Sequence, residues 1–246
     1  MKKSLFPILL LLIVTMGCNS KTNPKDVAVE PHTISDSVFL ENEYGEDYSR
    51  YTMNIELPIT KNEQLRQSIM HWMLSPETED YKSFFLADME RFFAEEGNEP
   101  HSTFEGNYYL LEQSDDYVTY ISEGYLYTGG AHPLPWYWGT TFSKTDGSVL
   151  GYDMFNDPEQ LIDLVSKNIR EQYFNRFNTE EEEYLFEPDE PIQLPEAQPW
   201  IENDSVVFCY GPYEIAPYAA GIPTCKIPLS DLENYLSEKG KSVLKQ

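Results

Sequence analysis

The chain has 246 residues, of which 42 are acidic and 17 are Lys or Arg, so its formal net charge is -25. Hydrophobic residues make up 41% of it and aromatic residues 14%, which is enough for a packed core and excludes a wholly disordered chain. The scarcity of basic residues argues against nucleic acid and against electrostatic docking on anionic lipid, whereas a cationic partner would be attracted.

The first residues are typical of a bacterial lipoprotein signal peptide. Two lysines precede an apolar stretch, 5–16, which is shorter than the ~20 residues needed to cross a bilayer. Gly17 directly precedes Cys18, as in a lipobox, although Thr15 stands where Leu is usual. We predict a signal peptide over 1–17 and lipidation of Cys18, with an ordinary cleaved signal as the alternative.

Residues 18–44 are predicted to be a flexible tether, because they are largely polar and are interrupted by Pro24 and Pro31. The mature protein would lie in the cell envelope, held to the outer membrane or to the outer face of the inner membrane through its N-terminal lipid. Loss of the signal peptide removes two of the basic residues and none of the acidic ones, so the mature chain is more acidic still.

The segment 45–104 is predicted to be a small α+β domain. Residues 51–59 alternate apolar and polar side chains, which indicates a strand. Thr60 and Glu63 then form a capping-box pattern before a helix with apolar residues at helical spacing. A second helix is predicted from about residue 81 to residue 96.

Strands predominate in the remaining segment, 105–246. They are predicted at 107–113, 117–128, 135–143 and 148–155, with a closing hairpin over 200–229. A helix is predicted from Asp157-Pro158, an exposed loop over the acidic, Pro-rich 179–199, and a short last helix capped by Ser230. Clustered strands favour an α+β fold, a mainly antiparallel sheet packed with a few helices.

Cys209 and Cys225 lie in two strand-like segments on either side of a Pro-rich loop. A hairpin folded about Pro217 would place them opposite each other, and an exported protein meets an oxidising environment. The sequence therefore leaves open a disulfide and a pair of buried thiols.

The sequence contains no HExxH, GxSxG, Walker-type or GxGxxG motif. The four histidines lack metal-ligand spacing, so we predict no metal and no cofactor. We expect no enzymatic activity. The alternative is a hydrolase whose site is assembled from distant residues, and its only candidates would be His132 beside Asp146 or Glu214.

Two stretches are candidates for ligand contact. The first contains Gly129, Gly130, His132 and Pro133, where paired glycines permit positive φ and the proline stiffens the chain. The second is a rigid loop over 210–221 that displays tyrosines, which lose little entropy on binding. Its candidate contact residues are Tyr210, Pro212, Tyr213, Glu214, Pro217 and Tyr218. Both stretches could equally be self-packed connections.

These stretches resemble the RsiV-like C-terminal domain family. The matching motifs are GGAHP at 129–133, DGSVLGYDMF at 146–155 and PYEIAPYAAG at 212–221, and the likeness covers roughly 105–240. The region before it is similar in position and length to the smaller domain that accompanies this family. The resemblance implies a non-catalytic envelope protein, and one relative is a membrane-anchored anti-sigma factor that binds and inhibits lysozyme. We expect no cytoplasmic segment of that kind in this chain and therefore no anti-sigma signalling.

The leading hypothesis is a lipid-anchored module that binds a cationic envelope protein such as lysozyme, since acidic surfaces steer basic proteins. The second is a module that binds peptidoglycan or another glycan by stacking sugar rings on Trp136, Tyr137 and Trp138. An envelope lipoprotein without a defined ligand is the third.

Overall fold

The computed structural model describes residues 27–41, 47–74, 80–95, 101–175 and 185–243. The predicted signal peptide and the lipidation site at Cys18 lie outside these ranges. Within them, no helix has the length and apolar character needed to cross a membrane.

The described residues form two sheets. The larger has six strands in the order of the chain: β1 (Glu30–Glu41), β2 (Asp47–Ile59), β3 (Thr103–Gln113), β4 (Tyr117–Tyr127), β5 (Leu134–Ser143) and β6 (Val149–Leu150). The smaller is antiparallel and consists of β7 (Trp200–Glu202), β8 (Ser205–Cys209) and β9 (Thr224–Pro228). The protein therefore has the predicted α+β fold.

One strand pair departs from the predicted antiparallel arrangement. β2 and β3 are parallel, whereas every other adjacent pair in the six-stranded sheet is antiparallel. Parallel neighbours need a crossover, and the chain between β2 and β3 supplies it in two helices, α1 (Glu63–Met73) and α2 (Tyr81–Glu95). The sheet is therefore mixed.

The remaining helices are short. They are α3 (Ile162–Ile169), which follows the 3-10 turn Pro158–Leu161 and continues as the π-helix Arg170–Phe174, then α4 (Leu229–Leu232) and α5 (Glu238–Val243). The predicted strand over 148–155 is limited to β6, after which Tyr152–Met154 form a 3-10 turn.

Two predicted helix caps are wrong. At α1 the side chain of Asn62 accepts the Leu65 backbone N–H at 3.1 Å, and Thr60 instead accepts the N–H of Asn62. The helix therefore begins two residues later than the capping-box pattern indicates. At α4 the cap is Pro228, so Ser230 lies inside the helix.

The helices α1 and α2 cover one face of the six-stranded sheet. The alternation in β2 directs Tyr51, Met53 and Ile55 to that face, and all three are buried. Leu65 and Ile69 of α1 pack in the same cluster. This burial of one strand face and one helix stripe is what the sequence periodicity indicates.

The three-stranded sheet covers part of the opposite face. Trp200 of β7 is fully buried and packs directly on Gly139 of β5. Alternate residues of β8 point two ways: Val207 joins the cluster between the sheets, while Phe208 joins the core against α3. The described residues therefore stack in four layers, helices, sheet, sheet and helix.

The prediction of a flexible tether over 18–44 is wrong for residues 30–41. They form β1, which pairs with β2 over its whole length, and Val27 and Val29 just before it are buried. The prediction followed polarity, but an edge strand exposes most of its side chains and therefore looks like a linker in composition.

The boundary predicted at residues 104 and 105 falls inside β3. β2, from the predicted N-terminal domain, pairs with β3 across it, so one sheet combines strands from both sides.

Candidate functional site

The two stretches singled out from the sequence meet in the structure. The loop that joins β4 to β5 carries His132, and the loop that joins β8 to β9 carries Tyr213 and Tyr218. The imidazole of His132 stacks on the Tyr218 ring, with 3.5 Å between ring centroids and 13° between ring planes. We call these three residues the His–Tyr cluster.

Hydrogen bonds define the tautomer of the His132 ring in this cluster. Its Nδ1 lies 3.1 Å from the Pro133 carbonyl oxygen, which can only accept, so Nδ1 is the donor. In the neutral ring Nε2 then accepts the hydroxyl of Tyr213, at 3.1 Å. The two loops are thus joined by one stacked ring pair and one hydrogen bond.

Tyr213 has an unfavourable backbone conformation. Its φ is +66°, in the left-handed region that bulky residues avoid, and half of its surface is exposed. Such a conformation costs roughly 1–3 kcal/mol and is enriched at functional sites. The turn that contains it is closed by a hydrogen bond from Glu214 N–H to the Gly211 carbonyl.

The paired glycines shape the opposing loop. Gly129 and Gly130 have φ of +98° and +94°, and a side chain at either position would meet no atom within 4 Å. Backbone conformation, rather than close packing, is therefore the reason for glycine here. The Tyr127 hydroxyl donates to the Gly130 carbonyl at 3.1 Å and closes the loop.

Two of the predicted contact residues support the loop from inside. Tyr210 is fully buried, and its hydroxyl donates to the Gln193 carbonyl at 2.8 Å. Burial raises the pKa of this phenol. The Glu214 carboxylate accepts the backbone N–H groups of Gly211 and Glu196, at 2.7 and 2.8 Å. Both side chains are thus engaged within the protein.

The C-terminal half of the loop is also anchored. Tyr173, in the π-helix, donates its hydroxyl to the Ala220 carbonyl at 2.6 Å, and Ala216 and Ala220 are buried in the core against α3. Pro212 and Pro217 are half-buried. The loop is therefore a supported structure that exposes one ring, Tyr213, and partly exposes another, Tyr218.

The predicted possibility of a disulfide between the two cysteines is wrong. Both are buried free thiols. Cys209 pairs with Thr224, and Cys225 pairs with Phe208, so the two cysteines are displaced by one residue from the directly opposed pair that was predicted. That offset places the two side chains on opposite faces of the small sheet, where no S–S bond can form. Burial raises the pKa of Cys209 to about 11 and that of Cys225 to about 12.

The residues considered for a hydrolase are not hydrogen-bonded to one another in the described part of the chain. Within the described chain, His132 is hydrogen-bonded to Pro133 and Tyr213 and to no carboxylate. Asp146 instead accepts the Ser148 N–H in the β5–β6 turn. Among the described residues, no three His, Cys, Asp or Glu side chains converge as metal ligands would.

The aromatic residues of β5 lie on two faces. Trp136 and Trp138 share the face that carries α1 and α2, with ring centroids 6.1 Å apart. Trp138 is 41% exposed and Leu134, on the same face, is 50% exposed. Tyr137 points to the other face and contacts Trp200 edge-on. The three aromatics therefore cannot form one stacking surface.

Sequence comparison assigns the C-terminal part of the chain to a family. Residues 152–230 match the family described as "Protein of unknown function (DUF3298)". Residues 152–230 form a DUF3298 domain. The domain contains the three-stranded sheet, α3 and the loop with Tyr213 and Tyr218, whereas His132 lies outside it.

Solved structures of this family share the fold. A DUF3298 family member from Bacteroides fragilis superposes with a TM-score of 0.69 at 17% identity, over 87% of this chain and 96% of that one. A DUF3298 family protein from Pseudomonas aeruginosa gives a TM-score of 0.65 at 19% identity, over 88% and 97%. The comparison with curated proteins gives no match.

The coverage of both structures reaches beyond the DUF3298 domain, so the fold includes most of the six-stranded sheet as well. The finer likeness, to an RsiV-like domain with a companion domain, stays a prediction. Sequence reasoning found both loops of the His–Tyr cluster but missed that they meet. A single sequence holds no signal for that contact, because it joins residues 81 positions apart.

Proposed function

We propose that this chain is a lipid-anchored, non-catalytic binding protein of the bacterial cell envelope. In this proposal the loops around the His–Tyr cluster contact a cationic protein, with a lysozyme-like muramidase as the leading candidate. The observation that carries the proposal is the cluster itself: two loops distant in sequence converge to hold Tyr213 half exposed in a strained conformation. Rigid, exposed aromatic rings are typical of binding anchors.

Charge supports a cationic partner. The chain carries 42 acidic residues, and electrostatic attraction of this sign raises association rates for basic proteins. The attraction supplies rate and orientation, while the exposed rings would supply the specific contact.

The geometry of the sheet suits presentation away from a membrane. The described chain begins beside Gln113 at the end of β3, where the Val29 N–H donates to its side chain at 3.1 Å. The β4–β5 loop lies at the other end of the sheet, about 33 Å away for ten residues of strand. If Cys18 carries lipid, the eight residues 19–26 reach at most about 28 Å.

The decisive experiment is calorimetric titration of the chain from residue 19 with a c-type lysozyme, at low and at physiological salt. The informative variant is Tyr213→Gly, which removes the ring and relieves the positive φ, so a loss of binding cannot come from added strain. We expect the variant to weaken binding about tenfold or more. Leu86→Ala, which truncates an exposed apolar side chain on α2, should leave binding unchanged.

Absence of binding at micromolar concentrations in both salts would remove lysozyme as the partner. Equal binding by the wild-type chain and Tyr213→Gly would instead move the contact away from the His–Tyr cluster. Binding that does not weaken with salt would contradict the role given to charge.

A glycan ligand is the second candidate, and one observation favours it. Trp136 and Trp138 lie side by side on one face of β5, and Trp138 is exposed. Retention of the protein on purified peptidoglycan sacculi, lost in Trp138→Ala and kept in Tyr213→Gly, would favour this function over the first.

A further inference from the structure

β1 is an edge strand of the six-stranded sheet. Among the described residues β1 pairs with β2 alone, so its outer side presents a row of backbone N–H and C=O groups. Ten of its twelve residues are exposed. An edge of this length is a ready template for another strand.

Natural edge strands are usually protected by charged side chains, lysine above all, by proline or bulges, by covering elements or by being short. β1 has twelve residues, and the chain from Val27 to Ser49 contains no Lys or Arg. Pro31 and the register shift between Leu40 and Glu41 interrupt only its two ends. The middle of the strand therefore has no lysine, proline or register shift to protect it, and Asp36 is its one charged residue.

The acidic side chains of β1 favour a cationic strand over a second copy of this chain as the neighbour at its outer edge. β1 itself contains three acidic residues, Glu30, Asp36 and Glu41. A second copy of the same strand would bring like charges together, which is destabilising. A strand rich in Lys or Arg would be attracted instead.

One end of β1 also offers apolar contacts. Phe39 and Leu40 are 47% and 40% exposed, and adjacent strand residues point to opposite faces. This end of β1 lies beside Arg50 of β2 and thus at the same end of the sheet as the β4–β5 loop. An added strand would find an apolar contact on each face there.

We infer that the outer edge of β1 binds an extended, cationic segment of a partner protein by main-chain hydrogen bonds, so that the segment becomes a seventh strand of the sheet. Main-chain pairing supplies affinity in such complexes, and the alternate side chains supply selectivity. The acidic residues of β1 select Lys and Arg, and Phe39 and Leu40 select apolar side chains. None of these β1 residues belongs to the His–Tyr cluster, so binding at this edge is independent of it.

The test uses the chain from residue 19 and a ten-residue peptide that alternates Lys and Val. We expect binding, measured by fluorescence anisotropy, together with slower hydrogen exchange at β1 amides. A peptide of the same composition with alternating D- and L-residues keeps the charge but cannot form a regular strand, so it should lose binding. Equal binding by both peptides would overturn strand addition and leave only charge attraction.

Two matched variants locate the site. Ser35→Lys places on β1 the residue that commonly blocks an edge and should weaken peptide binding about tenfold. Ser230→Lys adds the same charge at an exposed position on α4 and should have little effect. Equal weakening by both variants would contradict a site on β1.

Two further outcomes would also overturn the inference. One is unchanged exchange of the β1 amides when the peptide is bound. The other is protection of these amides without peptide that rises with protein concentration, since a second copy would then occupy the edge. The calorimetric test of Tyr213 does not depend on either result, so the two proposals fail separately.

Discussion

At the scale of single residues, tyrosines of one loop have different environments. Tyr210 is fully buried and bonded to a backbone carbonyl, Tyr213 is half exposed in a left-handed conformation, and Tyr218 stacks on His132. Helices and strands repeat their side-chain directions with a fixed period, but an irregular loop has none. The sequence therefore predicts an aromatic loop without indicating which ring is exposed.

The two buried cysteines predict that the protein loses stability at alkaline pH. Burial keeps both thiols protonated in the folded protein, with pKa values of about 11 and about 12, whereas an unfolded thiol ionises near pH 8.5. The unfolded state thus releases protons first as pH rises, so stability should fall above pH 8.5. The expected loss between pH 7.5 and 9.5 is roughly 1 kcal/mol per thiol.

Urea unfolding at several pH values measures this loss, and the double variant Cys209→Ala, Cys225→Ala is the control. The variant should show a smaller decline over that range, whatever its stability at neutral pH. An identical decline in both proteins would mean that other groups cause it. In the folded protein both thiols should also react slowly with thiol reagents at pH 8, because the thiolate is the reactive form.

At the scale of elements, the contact between the two sheets rests on a few side chains. The hydroxyl of Thr119 donates to the Ile201 carbonyl, and that of Thr141 accepts the Ile201 N–H, at 2.9 and 2.8 Å. These bonds satisfy the backbone of the short strand β7 where it is buried. Next to them, Trp200 fills the space left by the missing side chain of Gly139.

Gly139→Ala should destabilise this contact. A Cβ atom at Gly139 would lie 2.6 Å from the Trp200 ring, and overpacking in a buried contact costs roughly 1–3 kcal/mol. Gly211→Ala is the matched control, since the nearest atom to its Cβ lies 3.6 Å away, and we expect it to stay within about 0.5 kcal/mol of wild type. Chemical unfolding measures both, and equal midpoints for the two variants would refute the packing argument.

The elements differ in how well the sequence predicts them. The periodic segments are found nearly where expected: β2, α2, β3, β4 and β5. Sequence patterns do not predict features that depend on contacts between residues distant along the chain. Two examples are the parallel pairing of β2 with β3 and the one-residue displacement between the two cysteines. Both depend on which residues the neighbouring layers bury.

At the scale of the whole molecule, the folded body includes the strand predicted as a tether. Val27 and Val29 are buried against the core beneath α1 and α2, and the Gln113 side chain hydrogen-bonds the Val29 backbone. Removal of this segment would expose core side chains and leave β2 as the edge of the sheet.

A truncation series tests this arrangement. A chain from residue 27 should unfold at the same urea concentration as a chain from residue 19. A chain from residue 42 should lose about 3 kcal/mol or more, since full burial of each valine is worth roughly 1.5–3 kcal/mol, or should aggregate through the exposed edge. Equal midpoints for all three chains would show that β1 adds nothing to stability.

The acidic character, the α+β class, most strands and helices and the two loops of interest follow from the sequence, because composition and periodicity are local properties. The stacking of His132 on Tyr218, the opposite directions of the two cysteines and the place of β1 in the sheet are visible only in the folded chain. Each of these depends on the register between segments distant in the chain. That register is fixed by collective burial, which no local pattern encodes.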